Sequence, residues 1–174
     1  FITSGRVIQD DDGLISSRCF EKIGNNQHIV WGNYNVYIHN GENQKEIVSK
    51  GKIQEALYAD IERDKIGQCF TFRHTNNGET WFCYPENNYT GSGCNKAYVY
   101  AEDTDSWYKR DLFGDTTHIF TTEIEGDTRI FATTAGNLML HELSDTAVVA
   151  NGYVEFLNNN LESSAAAKTV TAIY

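Results

Sequence analysis

The residues of this 174-residue chain that could do chemistry are dispersed along it. Cys19, Cys69, Cys83 and Cys94 lack the C-x-x-C spacing of a zinc or redox site. In a chain with this much apolar content they read as reduced, partly buried thiols rather than a disulfide framework or a metal cage. His28 and His39 sit on neighbouring strand patterns and would face each other across a pair, but two histidines without a third ligand make no metal centre. Asp10-Asp11-Asp12-Gly13 has the acids of a calcium loop without its other spaced oxygen ligands, so it reads as a solvated turn. Asp103 and Asp105 point the same way from a polar hairpin tip into water, which suits a turn better than an acid–base pair. Arg6, Arg18, Arg63, Arg73, Arg110 and Arg129 are each isolated in sequence, which gives no sign of an arginine cluster beside paired acids. The chain has no G-x-S-x-G, H-E-x-x-H, P-loop or G-x-G-x-x-G. The expectation is no catalytic, cofactor-binding or metal-binding residue, and no enzyme.

Composition narrows the partners. A net charge of −10 opposes a general nucleic-acid surface, which needs a basic excess to neutralise phosphate. No run of 18 apolar residues is present, so no helix is expected to insert in a membrane. Aromatic residues at 13 %, one Pro and 14 Gly fit an all-β protein with many turns. The chain begins at Phe1 without a basic-plus-apolar leader, and is expected to be a fragment or a processed piece.

The elements that must position these residues are organised around Cys69 to Leu112. Cys69–His74, Thr80–Tyr84, Lys96–Ala101 and Trp107–Leu112 are rich in aromatic and β-branched residues and separated by Asn, Gly, Asp and Ser clusters. They read as a four-stranded antiparallel meander of about one propeller blade. Asn76-Asn77-Gly78-Glu79 is its first hairpin turn, where Asn and Gly accept positive φ. Upstream, Arg18–Phe20, His28–Trp31 and Tyr34–His39 read as strands of an earlier blade. Ser49 to Asp64 reads as the one short helix, its body near 51–64, with Ile53, Leu57 and Ile61 as its stripe, Ser49 as cap and Gly67 beyond its end. Downstream, Thr117–Thr122, Thr128–Thr133, Asn137–Glu142 and Gly152–Phe156 repeat the strand succession at offsets of about 40 to 50 residues, and Thr169–Ile173 reads as a further strand.

The fold class expected is therefore all-β, a β-propeller segment of two to three antiparallel four-stranded blades with one short helix. Its parts are 1–64 (end of an earlier blade plus the helix), 65–113 (central blade), 114–156 (following blade) and 157–174 (start of a further strand, or ring closure). Exposed-looking aromatics at strand ends and loops, Tyr34, Tyr84, Tyr89, Trp107 and Tyr108, are weighed as cross-blade packing against stacking on sugar or anchoring an interface. Tyr84, Tyr89, Trp107 and Tyr108 are the candidate interface residues.

Two resemblances come from these motifs. His74-x-Asn76-x-Gly78-x-Thr80-Trp81 resembles the Asp-box hairpin of sialidase propellers, with His for the usual Ser and Asn for the Asp. That resemblance implies a structural role for Asn76, Gly78, Thr80 and Trp81, in which the hairpin folds and packs its Trp.

The longer succession is Ile29-Val30-Trp31-Gly32, Val36-Tyr37-Ile38-His39-Asn40-Gly41, a helix, Thr80-Trp81-Phe82-Cys83-Tyr84-Pro85, Cys94-Asn95-Lys96-Ala97-Tyr98-Val99-Tyr100, Trp107 and Gly152-Tyr153-Val154-Glu155. Over roughly residues 15 to 174 it resembles the β-propeller tail proteins of short-tailed bacteriophages, which include tail nozzle and packaged-DNA stabilisation proteins. The family's Asp-Leu-Asp-Gly run reads Asn158-Asn159-Asn160-Leu161-Glu162 here, and whole family members are several times longer. The resemblance implies a non-catalytic virion protein of the tail, assembled in the host bacterial cytoplasm without a cofactor. It would form a ring, usually of six copies, below the portal. Its partners would be neighbouring tail and portal proteins, with transient contact to exiting DNA. The competing expectation is a carbohydrate- or receptor-binding propeller, which requires two or more aromatics and an acid–amide pair meeting on one face. A sialidase-like glycosidase is the third.

Overall fold

A computed structural model describes residues 12–24, 26–40, 45–136, 139–143 and 153–155. These are mostly β, in two antiparallel sheets. The first has the order β1 (Phe20–Lys22), β2 (His28–Trp31), β3 (Val36–His39), β4 (Lys45–Ile47). The helix α1 (Gln54–Asp60) and a 3₁₀ segment (Arg63–Gln68) follow. The second sheet is a seven-stranded meander of β5 (Phe70–His74), β6 (Glu79–Tyr84), β7 (Cys94–Ala101), β8 (Ser106–Ile124), β9 (Asp127–Thr134), β10 (Met139–Leu143) and β11 (Tyr153–Glu155). Every neighbouring pair is consecutive in the chain, so each ladder closes through a short connection at small entropic cost.

The strand succession of 70–112 is as expected, and so is its first turn. Gly78 closes the β5–β6 hairpin in the left-handed region (φ 63°), its N–H donating to the Thr75 carbonyl. Downstream, Glu125 and Gly126 supply the two positive φ values of a two-residue hairpin between β8 and β9.

The expected boundary between a central and a following blade at 113/114 is not a break in the ladder. Trp107–Leu112 and Thr117–Thr122 belong to one 19-residue strand, β8, which pairs with β7 through its first half and with β9 through its second. Phe113-Gly114-Asp115-Thr116 is a bulge inside that strand, with shifts in register on both sides and Asp115 at φ 61°. The stretch therefore bends a continuous sheet where a connection between two sheets was expected. β4 is a strand that the polar run after Asn40 did not announce. The Thr169–Ile173 strand and the 157–174 segment lie outside the described residues.

The helix is shorter than expected. Leu57 is fully buried and Ile53 packs beside it, but Ile61 is extended (ψ 131°), because the chain after Asp60 is held against the end of β6. The Glu62 N–H donates to the Pro85 carbonyl, and Ile61 bridges to Glu86. Ser49 does not cap α1 through its side chain. Its Oγ accepts from the Val36 N–H at 3.0 Å, and its carbonyl receives the Lys52, Ile53 and Gln54 N–H groups. Gly67 lies within the 3₁₀ segment and does not end α1.

Strict alternation along β6 and β7 divides the core in two. Phe82, Tyr84, Tyr98 and Tyr100 face the first sheet and α1, packing with Ile29, Trp31, Val36, Val48, Leu57 and Ile61. Trp81, Cys83, Ala97 and Val99 face the other way, with Phe70, Phe72, Leu112, Ile119, Ile130 and Ala132. All of the second group come from the seven-stranded sheet itself, which curls into a half-barrel and closes on its own concave face. Phe70 of β5 thereby reaches His118 of β8, ring to ring at 6.4 Å, although two strands separate them in the ladder.

Candidate functional site

A cluster of ionisable side chains collects on the seam where α1 meets β6, β7 and β8. Asp60, the last residue of α1, presents one oxygen, Oδ2, to three donors: Tyr98 Oη at 2.9 Å, Lys109 Nζ at 2.9 Å and Tyr84 Oη at 3.3 Å. Lys109 also reaches Glu86 Oε1 at 3.0 Å, and Lys96 pairs with Asp111. The β7–β8 register puts Tyr98 directly opposite Lys109, and the Tyr84 and Tyr98 rings stack at 5.7 Å.

Burial alone would raise the Asp60 carboxyl, but the Lys109 and Tyr98 hydrogen bonds outweigh it and hold it below its ordinary value. Desolvation would lower the Lys109 ammonium, yet its bonds to Asp60 and Glu86 raise it above its ordinary value. The Tyr84 and Tyr98 phenols are raised, first by burial and then by the Asp60 charge they donate to. The Asp60 charge, the Lys109 charge and the two neutral phenols are therefore each favoured by their neighbours. The arrangement clamps α1 to the sheet.

A second fixed cluster sits at the β8 bulge. Tyr89 Oη donates to Asp115 Oδ1 at 3.2 Å and accepts from the Asp115 N–H at 2.9 Å. The same carboxylate takes the Ser92 and Gly93 N–H groups. A Cβ at Gly91 would stand 2.1 Å from Asp115 Oδ1, so only glycine lets the loop close this tightly. Lys65 Nζ donates to the Tyr89 and Gly91 carbonyls from below.

The thiols are structural. All four are free and buried, Cys19 and Cys69 on the seam side, Cys83 and Cys94 on the concave side. Burial pushes Cys19 up to about 12 and raises Cys69, Cys83 and Cys94 as well, so the nucleophilic thiolate is suppressed. His28 and His39 do pair across β2 and β3, rings stacked at 5.5 Å. Burial lowers His39, and the His28 charge adds to the effect. Among the described residues no group of three His, Cys, Asp or Glu side chains is placed to hold a metal ion.

Asn76 is exposed in the turn, Thr80 and Trp81 are fully buried, and Trp81 Nε1 donates to Glu79 Oε2 at 3.0 Å under the Arg110 guanidinium. The candidate interface aromatics do not behave alike. Tyr84 is fully buried inside the chain, because its ring fills the seam and its hydroxyl serves Asp60. Trp107 packs on Phe82 and Tyr100 and donates to the Val48 carbonyl, which closes the gap between the sheets. Tyr84 belongs to the core, while Trp107 is half-buried at its edge. Tyr89 is tied to Asp115. Tyr108 is 40 % exposed, its hydroxyl on Glu79.

Asp12 is not the solvated turn residue expected, for it is 2 % exposed and binds the Tyr34 N–H and the Asn35 amide. Asp10 and Asp11 lie outside the described residues. Asp105 is paired with Lys52 and accepts from Tyr100 Oη, so it and Asp103 form no carboxylate pair. Arg18, Arg63, Arg73 and Arg110 engage different partners: the Thr117 carbonyl, the Tyr58 carbonyl, Glu102 and the Trp81 ring. Arg6 lies outside the described residues.

Asp60, Lys109, Asp115 and Lys65 were not singled out from the sequence. Their roles depend on register and on long-range contacts, and only the alternation of Tyr98 and Tyr100 with Ala97 and Val99 hinted at a polar-rimmed face. The chain matches no protein-family model and no curated protein sequence.

Proposed function

We propose that this chain is a structural module of a bacteriophage tail, working by rigid packing and assembly and not by catalysis. The observation that carries the reading is the clamped seam, in which Asp60, Lys109, Glu86, Tyr84 and Tyr98 hold one another at a junction between helix and sheet. Charged groups committed in this way stiffen a wall and are poor reagents. The motif succession from Ile29-Val30-Trp31 to Gly152-Tyr153-Val154-Glu155 supports the more specific form: a nozzle or hub ring below the portal, probed by neighbouring tail proteins and by passing DNA.

On this reading the two sheets are parts of a propeller-like wall, with the β8 bulge as the bend between successive meanders. Copies meet head to tail and close a ring, probed here as six. The net charge of −10 favours sliding over sticking for DNA passing such a wall. The protein would be made in the bacterial cytoplasm and kept in the virion. Dissociation of purified virions into capsid and tail fractions, followed by peptide mass spectrometry, tests the assignment. The chain is expected in the tail fraction at a fixed copy number. Its absence from virions, or turnover of a fluorogenic sialoside by the pure protein, removes the proposal.

A further inference from the structure

A cleft of about 350 Å³ opens between the β2–β3 turn and α1, lined by Asn33, Tyr34, Gln54, Glu55, Tyr58 and Arg63. Half of that lining builds the walls. Gln54 Nε2 donates to the Tyr34 carbonyl and to Asn35 Oδ1, both at 2.9 Å. Tyr58 Oη donates to the Gly32 carbonyl at 2.7 Å, and Arg63 donates to the Tyr58 carbonyl at 3.3 Å. From behind, buried Asp12 takes the Tyr34 N–H at 2.9 Å and the Asn35 amide at 3.1 Å. A Cβ at residue 32 would stand 2.3 Å from Asp12 Oδ1, so the turn has this shape only with glycine there.

The other half of the lining is unspent. The side-chain polar atoms of Asn33, Tyr34 and Glu55 have no partner among the described residues. Tyr34 is 65 % exposed although its own N–H and C=O are both held. A held backbone that leaves a large ring in water has met part of the ordering cost of a contact in advance. One carboxylate, one free amide and a phenol ring, facing one partly committed guanidinium, amount to a nearly neutral polar site with a flat apolar floor. A lone carboxylate with these neighbours is no metal cage, and a single arginine beside Glu55 is a poor phosphate grip.

We propose that this cleft is a saccharide subsite, with one sugar ring stacked on Tyr34 and its hydroxyls hydrogen-bonded by Asn33 and Glu55. The volume lies at the small end of ligand pockets, about 300–1,000 Å³, which suits one or two sugar units of a longer chain. The inference stands apart from the tail reading, since the cleft is intact within one chain.

The test is an amide NMR titration of the full chain with maltotriose, cellotriose, chitotriose and 3′-sialyllactose. At least one should give saturable shifts confined to residues 33–35, 54–58 and 63, with a Kd of about millimolar order. Tyr34→Ala should weaken it at least about tenfold, while Tyr34→Phe, which keeps the stacking face, stays within about threefold. Glu55→Gln and Asn33→Ala should each weaken it about three- to tenfold, with spectra otherwise unchanged. Absence of saturation with all four sugars overturns the proposal. So does unaltered binding in Tyr34→Ala, or shifts at the cleft that follow protein concentration without sugar, which would mark a contact between copies.

Discussion

Strands β6 and β7 carry different chemistry on their two sides. Toward the first sheet they present Phe82, Tyr84, Tyr98 and Tyr100, whose phenols end on Asp60 and Asp105. Toward the concave side they present Trp81, Cys83, Ala97 and Val99, with no phenol among them. The first side must join two sheets and a helix, and rings with polar tips fix the geometry of that junction as well as burying area. The second side closes a sheet on its own members, where area and fit suffice. The contrast places hydrogen bonds from phenols to carboxylates between the sheets on one side, and burial of mainly apolar side chains on the other.

Removing a large ring from the dry side should have the largest effect. Trp81→Ala leaves a cavity in a fully buried position and should cost about 3–5 kcal/mol in denaturant unfolding. A loss below about 1 kcal/mol would mean that the concave face is not a packed core. On the wet side, Asp60→Asn removes the charge that three donors share, and should cost about 1–3 kcal/mol. Tyr98→Phe should cost less, about 0.5–1.5 kcal/mol, and should become nearly silent in the Asp60→Asn background if the two act as one unit.

The pH dependence separates the two sides further. The Asp60 carboxyl is lowered from 3.8 in the fold, so its contribution is full above that value and fades as pH falls through the lowered one. Lys109 is raised from 10.5, so its contribution is full below that pH and is lost only as pH rises through the raised value. Stability measured against pH should therefore fall less steeply below about pH 4 in Asp60→Asn than in the parent, while Val99→Ala, a fully buried aliphatic change on the concave side, should leave that slope unchanged. The smallest effect is expected at the exposed β8–β9 tip, where Ile124→Ser should change stability by no more than about 0.5 kcal/mol.

Much of this was readable from local pattern. The alternation in Thr80–Tyr84 and Lys96–Ala101 marks strands buried on both faces, and Asn77-Gly78 and Glu125-Gly126 mark the β5–β6 and β8–β9 turns. What escaped the sequence was set at long range. Gly114-Asp115 has the composition of a connection, yet Tyr89, Ser92 and Gly93 seize the Asp115 carboxylate and keep β8 continuous. Ile61 completes a helical stripe by spacing, but the Pro85 and Glu86 backbone draws it into a bridge. Tyr84 looked like a surface aromatic because strand ends usually are surface, and here α1 and a second sheet cover it, with Trp107 half-buried beside it. Asp12 sits in an acid run that suggests solvent, while Gly32 gives it room to enter the core.

The claim on which the functional reading depends is assembly, and native mass spectrometry with image averaging of the particle that contains this chain tests it most directly. The account predicts a closed ring of repeated copies, six by preference, with rotational symmetry and a fixed place in the tail. A particle holding a single copy, with no symmetry and no neighbouring tail protein, would contradict it.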